Sequence, residues 1–162
     1  RKHTSDDYRK IIEKLRNAKP DLLLSGDFIV GFPGETEADF MATLRLVKDI
    51  KYGQSYSFKY SARPGTPAAS REDVCEEVKK ERLAELQFLL TEQQMEIQKS
   101  MIGKEVKVLF EKPGRLKDQM GGKSEYLHAV HVIGQSIQKG DIKRVKIINS
   151  EKNSLGGILI EI

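Results

Sequence analysis

"DFIVGFPGETEADF" (Asp27–Phe40) passes from an apolar strand, through two glycines and a proline, into a run of acidic residues. A glycine-rich turn between strand and helix is a common phosphate cradle, in which backbone N–H groups at a helix N-terminus face the anion, usually beside a lysine. Here Glu35, Glu37 and Asp39 stand at that terminus. Their carboxylates would repel a phosphate at the one place where the helix attracts it, so the phosphate-loop reading is excluded. They suit the helix dipole instead, and Thr36 with Asp39 three residues on has the form of a capping box. "FPGE" fits a type II turn, with Pro33 preset for the second position and Gly34 supplying positive φ at the third.

The same device recurs downstream. "QSYSFKYSA" alternates Tyr56, Phe58 and Tyr60 with small or polar residues, as a strand does, and is followed by "RPGT" (Arg63–Thr66). Upstream, "HTSDDYRKIIEKLRNAKP" offers Thr4 or Ser5 as N-cap and Asp7 as capping-box partner of Thr4. Tyr8, Ile11, Ile12, Leu15 and Ala18 recur at helical spacing, and Pro20 stops the helix. Leu22–Phe32 shows little alternation, which predicts a strand covered on both faces. A helix over 36–50 is predicted to bury Phe40, Leu44, Val47 and Ile50.

Helix–strand–helix–strand order predicts a parallel pair joined by a right-handed crossover. Both Pro-Gly turns then fall at the carboxyl ends of adjacent strands, the edge where α/β folds bind ligands. Gly31 is expected to leave room there for a flat ligand, with Phe58 and Tyr60 as apolar or stacking surface beside it. On spacing alone, economical chain connection is the favoured explanation of the turns. Two strands make an incomplete sheet, so this segment reads as the end of a larger α/β barrel or sheet. Leu22–Leu24, Ile29 and Phe58 are then expected to be partly uncovered.

Residues 72–101 read as one long polar helix with Val78, Leu83, Leu86, Leu90, Ile97 and Met101 as its apolar line, ended by Gly103. Beyond it, "KEVKVLFE", "EYLHAVHV", "DIKRVKIIN" and "GGILIEI" are short strands between turn residues, the texture of a small barrel of about five strands, similar in kind to OB-type folds. The predicted organisation is α/β followed by all-β: an α/β segment over 1–70, a linking helix over 71–101 and a β-barrel over 102–162.

Composition sets bounds. The chain has 162 residues, 38% apolar and 32% charged, with one cysteine and three histidines. That is ordinary for a soluble globular protein, and no apolar run approaches the roughly 18–20 residues of a membrane helix. A lone Cys75 excludes an internal disulfide or a cysteine-rich metal site and fits a reducing cytosol. Too few and too scattered for a metal site, the histidines read as surface or structural; His128 and His131, three apart in a strand-like stretch, should face opposite ways. No secretory signal pattern is present, and the chain opens at Arg1 without an initiator methionine, so it is expected to be part of something longer. Net charge is +4, and residues 102–162 alone carry 11 Lys/Arg against 7 Asp/Glu. A small basic module favours a polyanionic partner through phosphate contacts.

"SGDFIVGFPGETEADF" and "YSFKYSARPGTPAA" resemble the last βα segments of the radical S-adenosylmethionine methylthiotransferases. "LFEKPGRLKDQMGGKSEYLHAVHV" and "NSLGG" resemble the TRAM domain that ends those enzymes. The pairing of the two Pro-Gly segments with a TRAM-like sequence is specific, and the likeness covers essentially the whole chain. It implies the C-terminal end of a radical S-adenosylmethionine partial (β/α) barrel, then a linking helix, then a five-stranded OB-like TRAM barrel. In that family a 4Fe-4S cluster held by CxxxCxxC cleaves S-adenosylmethionine to a 5′-deoxyadenosyl radical, which takes hydrogen from C2 of a modified adenosine at position 37 of tRNA. A second 4Fe-4S cluster, in an N-terminal domain, participates in methylthio transfer.

None of those cluster cysteines is in this chain, so it holds no catalytic or metal residue and is expected to be inactive alone. The strand ending in Gly31 resembles the GxIxG element along the adenine of the cofactor: Ile29 and Gly31 match, while Asp27 replaces the first glycine. Phe58, Tyr60 and Arg63 match the neighbouring strand that closes the pocket. By the same resemblance Arg115, Lys117, Lys123, Tyr126, Asn153 and Ser154 are the RNA-binding candidates, with Tyr126 either stacking on a base or lying in the barrel core. Implied partners are a tRNA anticodon stem-loop and the N-terminal part of the same protein, in a cytoplasmic monomer. "LFEKPGR" and "YLHAVHV" favour the branch acting on N6-dimethylallyladenosine. A sister branch acting on threonylcarbamoyl-adenosine or a ribosomal protein, and a stand-alone RNA-binding protein, remain open.

Overall fold

The structure is a computed structural model that describes residues 3–134 and 136–160. It divides into two compact units, residues 1–94 and 95–162, with the division inside a long helix.

The first unit begins with α1 (Ser5–Ala18), capped as its sequence requires: the Thr4 hydroxyl accepts from the Asp7 N–H and the Asp7 carboxylate accepts from the Thr4 N–H. β1 (Ser25–Val30) follows, then α2 (Glu37–Ile50), which repeats the reciprocal cap with Thr36 and Asp39. β2 (Gln54–Lys59) pairs with β1 in parallel, Ser25 opposite Gln54 through Val30 opposite Lys59. A single 3₁₀ turn (Pro67–Ser70) leads into α3 (Glu76–Ser100).

One face of the two-stranded sheet carries the core. Val30, Phe40, Leu44, Val47, Ile50, Tyr52, Leu86 and Leu90 are buried together with Ile12. The Tyr8 and Tyr52 hydroxyls meet at 2.9 Å, and burial pushes the Tyr52 phenol far above its ordinary value. The prediction of a strand covered on both faces is corrected here. β1 alternates, because its other face is open: Ile29 is 57% exposed and its partner Phe58 is 54% exposed. Leu22–Leu24 lie half-buried outside the strand, whose bounds are shorter than predicted.

α3 starts at Glu76, so Cys75 precedes it, exposed, with its thiol on the Glu77 carboxylate. Its buried stripe is also broader than its apolar line. Lys79, Arg82, Leu86, Leu90 and Gln93 are all buried, a helical spacing that mixes cations and an amide with leucines. The Gln93 amide donates to the Val47 carbonyl at 2.9 Å.

The second unit is a closed barrel in the order β3-β4-β5-β7-β6. The strands are β3 (Glu105–Pro113), β4 (Gln119–Ser124), β5 (Ala129–Ile133), β6 (Ile142–Ser150) and β7 (Leu155–Leu159). Val106, Val108, Phe110, Val130, Val132, Val145, Ile147 and Leu155 fill it at period two along their strands. All neighbours are antiparallel except β5 and β7.

Two sequence expectations need correcting. "EYLHAVHV" is a strand only from Ala129; Glu125 and Tyr126 form a turn. β4, rich in glycine, was not anticipated, since glycine weakens a strand signal. It is required where it stands: a Cβ on Gly122 would lie 2.1 Å from the Leu109 carbonyl oxygen of β3. In "GGILIEI", Glu161 and Ile162 lie outside the described residues.

Candidate functional site

In the first unit the parallel register brings the carboxyl ends of β1 and β2 side by side, and both Pro-Gly turns grow from that edge. Each closes as predicted. The Glu35 N–H donates to the Phe32 carbonyl at 2.8 Å and the Thr66 N–H to the Arg63 carbonyl at 3.2 Å, with Gly34 at φ +90° and Gly65 at φ +81°. Below the turns lies the open sheet face with Asp27, Ile29, Tyr56 and Phe58. Beside β2, a groove runs between Ser55–Phe58 and Gln87, Leu90, Thr91 and Gln94 of α3.

Of the cofactor candidates, Ile29 and Phe58 are adjacent on this open face. Tyr60 is set apart. Its ring meets Phe32 edge-on at 5.2 Å and lies under the Lys79 ammonium at 5.6 Å, and its hydroxyl is buried with no hydrogen-bond partner among the described residues. Arg63 is exposed at the second turn.

Gly31 does not leave the open space its sequence position suggested. It is buried at φ +71°, and a Cβ there would lie 2.4 Å from Lys79 Cγ, so the lysine stem occupies that side. Lys79 in turn pairs with Asp73 at 2.5 Å. The Gly31 N–H donates to Glu35 Oε1 at 2.9 Å, and the same oxygen receives Arg82 Nη1 at 2.9 Å. Glu35 therefore serves the turn and α3 more than the α2 dipole. Lys79 and Arg82 were missed in the sequence, although their spacing with Leu86 and Leu90 extends the buried stripe.

Ile29 and Phe58 together make an exposed apolar strip on the open face of the two strands. It offers nothing for iron–sulfur clusters. Among the described residues no group of three His, Cys, Asp or Glu could hold a metal ion.

In the barrel the register separates the RNA candidates into two groups. Lys123 opposes Ala129 at the end of β4, and the start of β5 runs parallel to the start of β7. Lys123, Tyr126, Asn153 and Ser154 thus gather at one end. Arg115 and Lys117, exposed in the β3–β4 loop beyond Pro113, belong to the other. Tyr126 packs against the barrel core, which favours the second of its two readings. Asn153 and Ser154 sit in a turn closed by Glu151 N–H to the Ser154 carbonyl at 2.8 Å. Sequence reasoning also passed over the cations on the outer faces of β3 and β6, where Lys107 opposes Arg144.

His128 lies at the first of these ends, buried, with neither ring nitrogen hydrogen-bonded among the described residues. It precedes β5 and points inward, while half-buried His131 faces Glu151 at 3.6 Å. Burial, with Lys123 nearby, lowers the His128 pKa below its ordinary 6.5. The unfolded chain therefore binds the proton more tightly than the folded one. The stability that depends on neutral His128 is fully present above about pH 6.5 and is lost as pH falls below it. His128→Leu is expected to flatten that decline, read as urea midpoint between pH 7.5 and 5; an unchanged slope would assign it to other groups.

No family model matches the chain. Curated relatives do. It is 58% identical over 161 residues to the tRNA-2-methylthio-N(6)-dimethylallyladenosine synthase of Ruegeria sp., covering 99% of this chain and 37% of that protein. With the synthase of the same name from Jannaschia sp. it shares 60% over 161 residues, again 99% of this chain and 35% of the relative. The corresponding protein of Roseobacter denitrificans is 58% identical over 160 residues. The chain spans little more than a third of the length of these relatives. Along almost every residue, then, the chain is similar to about one third of the length of the tRNA-2-methylthio-N(6)-dimethylallyladenosine synthases of these organisms.

Proposed function

We propose that the chain is the cofactor-rim and RNA-holding part of a cytoplasmic, monomeric tRNA methylthiotransferase that places a methylthio group on N6-dimethylallyladenosine at position 37. The observation that carries this is the 58–60% identity to synthases of that name across 99% of the chain. In this reading residues 1–70 are the end of a radical S-adenosylmethionine (β/α) barrel, 71–101 the linking helix and 102–162 a TRAM barrel. S-adenosylmethionine, once bound, supplies the radical chemistry, and both 4Fe-4S clusters are held by the rest of the protein. This chain has no activity by itself.

Its own residues bind and orient. Ile29 and Phe58 offer the adenine an apolar strip, Gly31 shapes the strand end, and Tyr60 and Arg63 flank it. The exposed face of β1 and β2, which no described residue of the first unit covers, supports the reading that further strands complete the barrel. Lys123, Asn153 and Ser154 form one RNA contact at the barrel end, beside Tyr126, which packs on the core, and Arg115 and Lys117 form a second. A separation of this kind suits a stem-loop that touches the protein at more than one phosphate track.

Fluorescence anisotropy with a labelled tRNA anticodon stem-loop tests the RNA half. Affinity is expected to fall steeply with salt, with a log–log slope of about −0.7 to −0.9 per phosphate contact, and Lys123→Ala should reduce that slope by about one contact. Salt-independent or absent binding would remove the proposed role of the barrel.

A further inference from the structure

We infer that Arg82, acting through Glu35, is a positioning residue for the cofactor's nucleoside, a role that rests on the rim reading above. The connection is continuous and short. Arg82 Nη1 donates to Glu35 Oε1 at 2.9 Å and to the Glu35 carbonyl at 3.1 Å; Glu35 Oε1 also accepts the Gly31 N–H at 2.9 Å. A second guanidinium nitrogen reaches Glu37 at 3.2 Å. One carboxylate oxygen thereby ties the end of β1 to its own turn and to α3. Arg82 and Glu35 side chains are only 9% and 12% exposed, so the tie is made away from solvent.

A glycine in the left-handed region is conformationally free, and at Gly31 two restraints from α3 remove that freedom. The Lys79 stem blocks one side of its α-carbon, and the Arg82–Glu35 pair holds its N–H. Ile29, two residues earlier, and its neighbour Phe58 take their place on the open face from the strand that Gly31 ends. Loosening the clamp lets the strip move without removing any side chain that touches the ligand. Affinity drops because order must then be regained on binding. A guanidinium is suited to the task, since its planar fork serves the side-chain and main-chain oxygens of Glu35 at once; a lysine ammonium provides a point charge without that geometry.

The test is NMR titration of the whole chain with S-adenosylhomocysteine, combined with amide exchange at Gly31. In the wild type the probe should shift Ile29, Gly31 and Phe58, and the Gly31 amide should be protected. Arg82→Lys should keep the fold, weaken binding about fivefold to tenfold and speed Gly31 exchange. Glu35→Gln, which keeps an acceptor for the Gly31 N–H, should weaken binding less and leave Gly31 more protected than Arg82→Lys does. If the wild type binds and both variants bind equally well, Arg82 has no positioning role and the rim reading survives. If the wild type shows no shifts at the strip, the rim reading fails and takes this inference with it.

Discussion

Gly122→Ala is expected to disrupt the barrel, with a loss of stability above about 3 kcal/mol. The added methyl carbon would stand 2.1 Å from the Leu109 oxygen, 2.8 Å from the Leu109 carbonyl carbon and 2.9 Å from Phe110 Cα. All three are backbone atoms of β3, so no side chain can rotate away, and only separation of β3 from β4 relieves the overlap. That separation breaks ladder hydrogen bonds and opens a closed sheet. The neighbouring residue is the control. A Cβ on Gly121 meets only the Lys112 carbonyl oxygen at 3.8 Å, an ordinary contact. Gly121→Ala should therefore change stability by about 0.5 kcal/mol or less. Urea unfolding with amide exchange read separately in β3 and β4 distinguishes them, and equal effects would contradict the close approach of the two strands.

Arg82→Ala is expected to cost about 3–5 kcal/mol in the first unit, because it leaves the carboxylate of Glu35 buried without its partner. Glu37 contributes little to this figure, since its side chain is 72% exposed. The double variant Arg82→Met, Glu35→Leu removes the uncompensated charge and should recover much of the loss. It should not recover all of it, because the Gly31 N–H then lacks its acceptor, a deficit of about 1–3 kcal/mol. Denaturation of the two variants checks this. A double variant as stable as the wild type would mean that the N–H finds another acceptor.

Both positions were illegible in the sequence for the same reason: each depends on what a distant segment brings to it. Local chemistry was readable. The caps at Thr4 and Thr36, the two Pro-Gly turns and the parallel pairing of β1 with β2 follow from short spacings and from connection handedness. Short runs between turn residues marked β3 and β6, whose inward residues alternate with exposed ones. β4 was hidden because its glycines answer to β3 and not to their own propensity. Lys79 and Arg82 lie outside the apolar line of their helix, and their burial follows from the Gly31 turn and Glu35 packing against them. Gly31 itself was noted for the right turn but the wrong space, since the atoms that fill it come from a helix 48 residues on. The separation of Arg115 and Lys117 from Lys123 and Ser154 likewise needs the barrel register, which no single strand discloses.

The most direct test of the chain's assignment is a replacement. The matching 161 residues of the Ruegeria synthase are exchanged for this chain, and tRNA from cells lacking the endogenous enzyme is digested and analysed by mass spectrometry. Formation of 2-methylthio-N6-dimethylallyladenosine near the level given by the intact Ruegeria protein is expected. A chimera that accumulates and folds but leaves N6-dimethylallyladenosine unconverted would contradict the proposal that this chain holds the cofactor rim and the RNA.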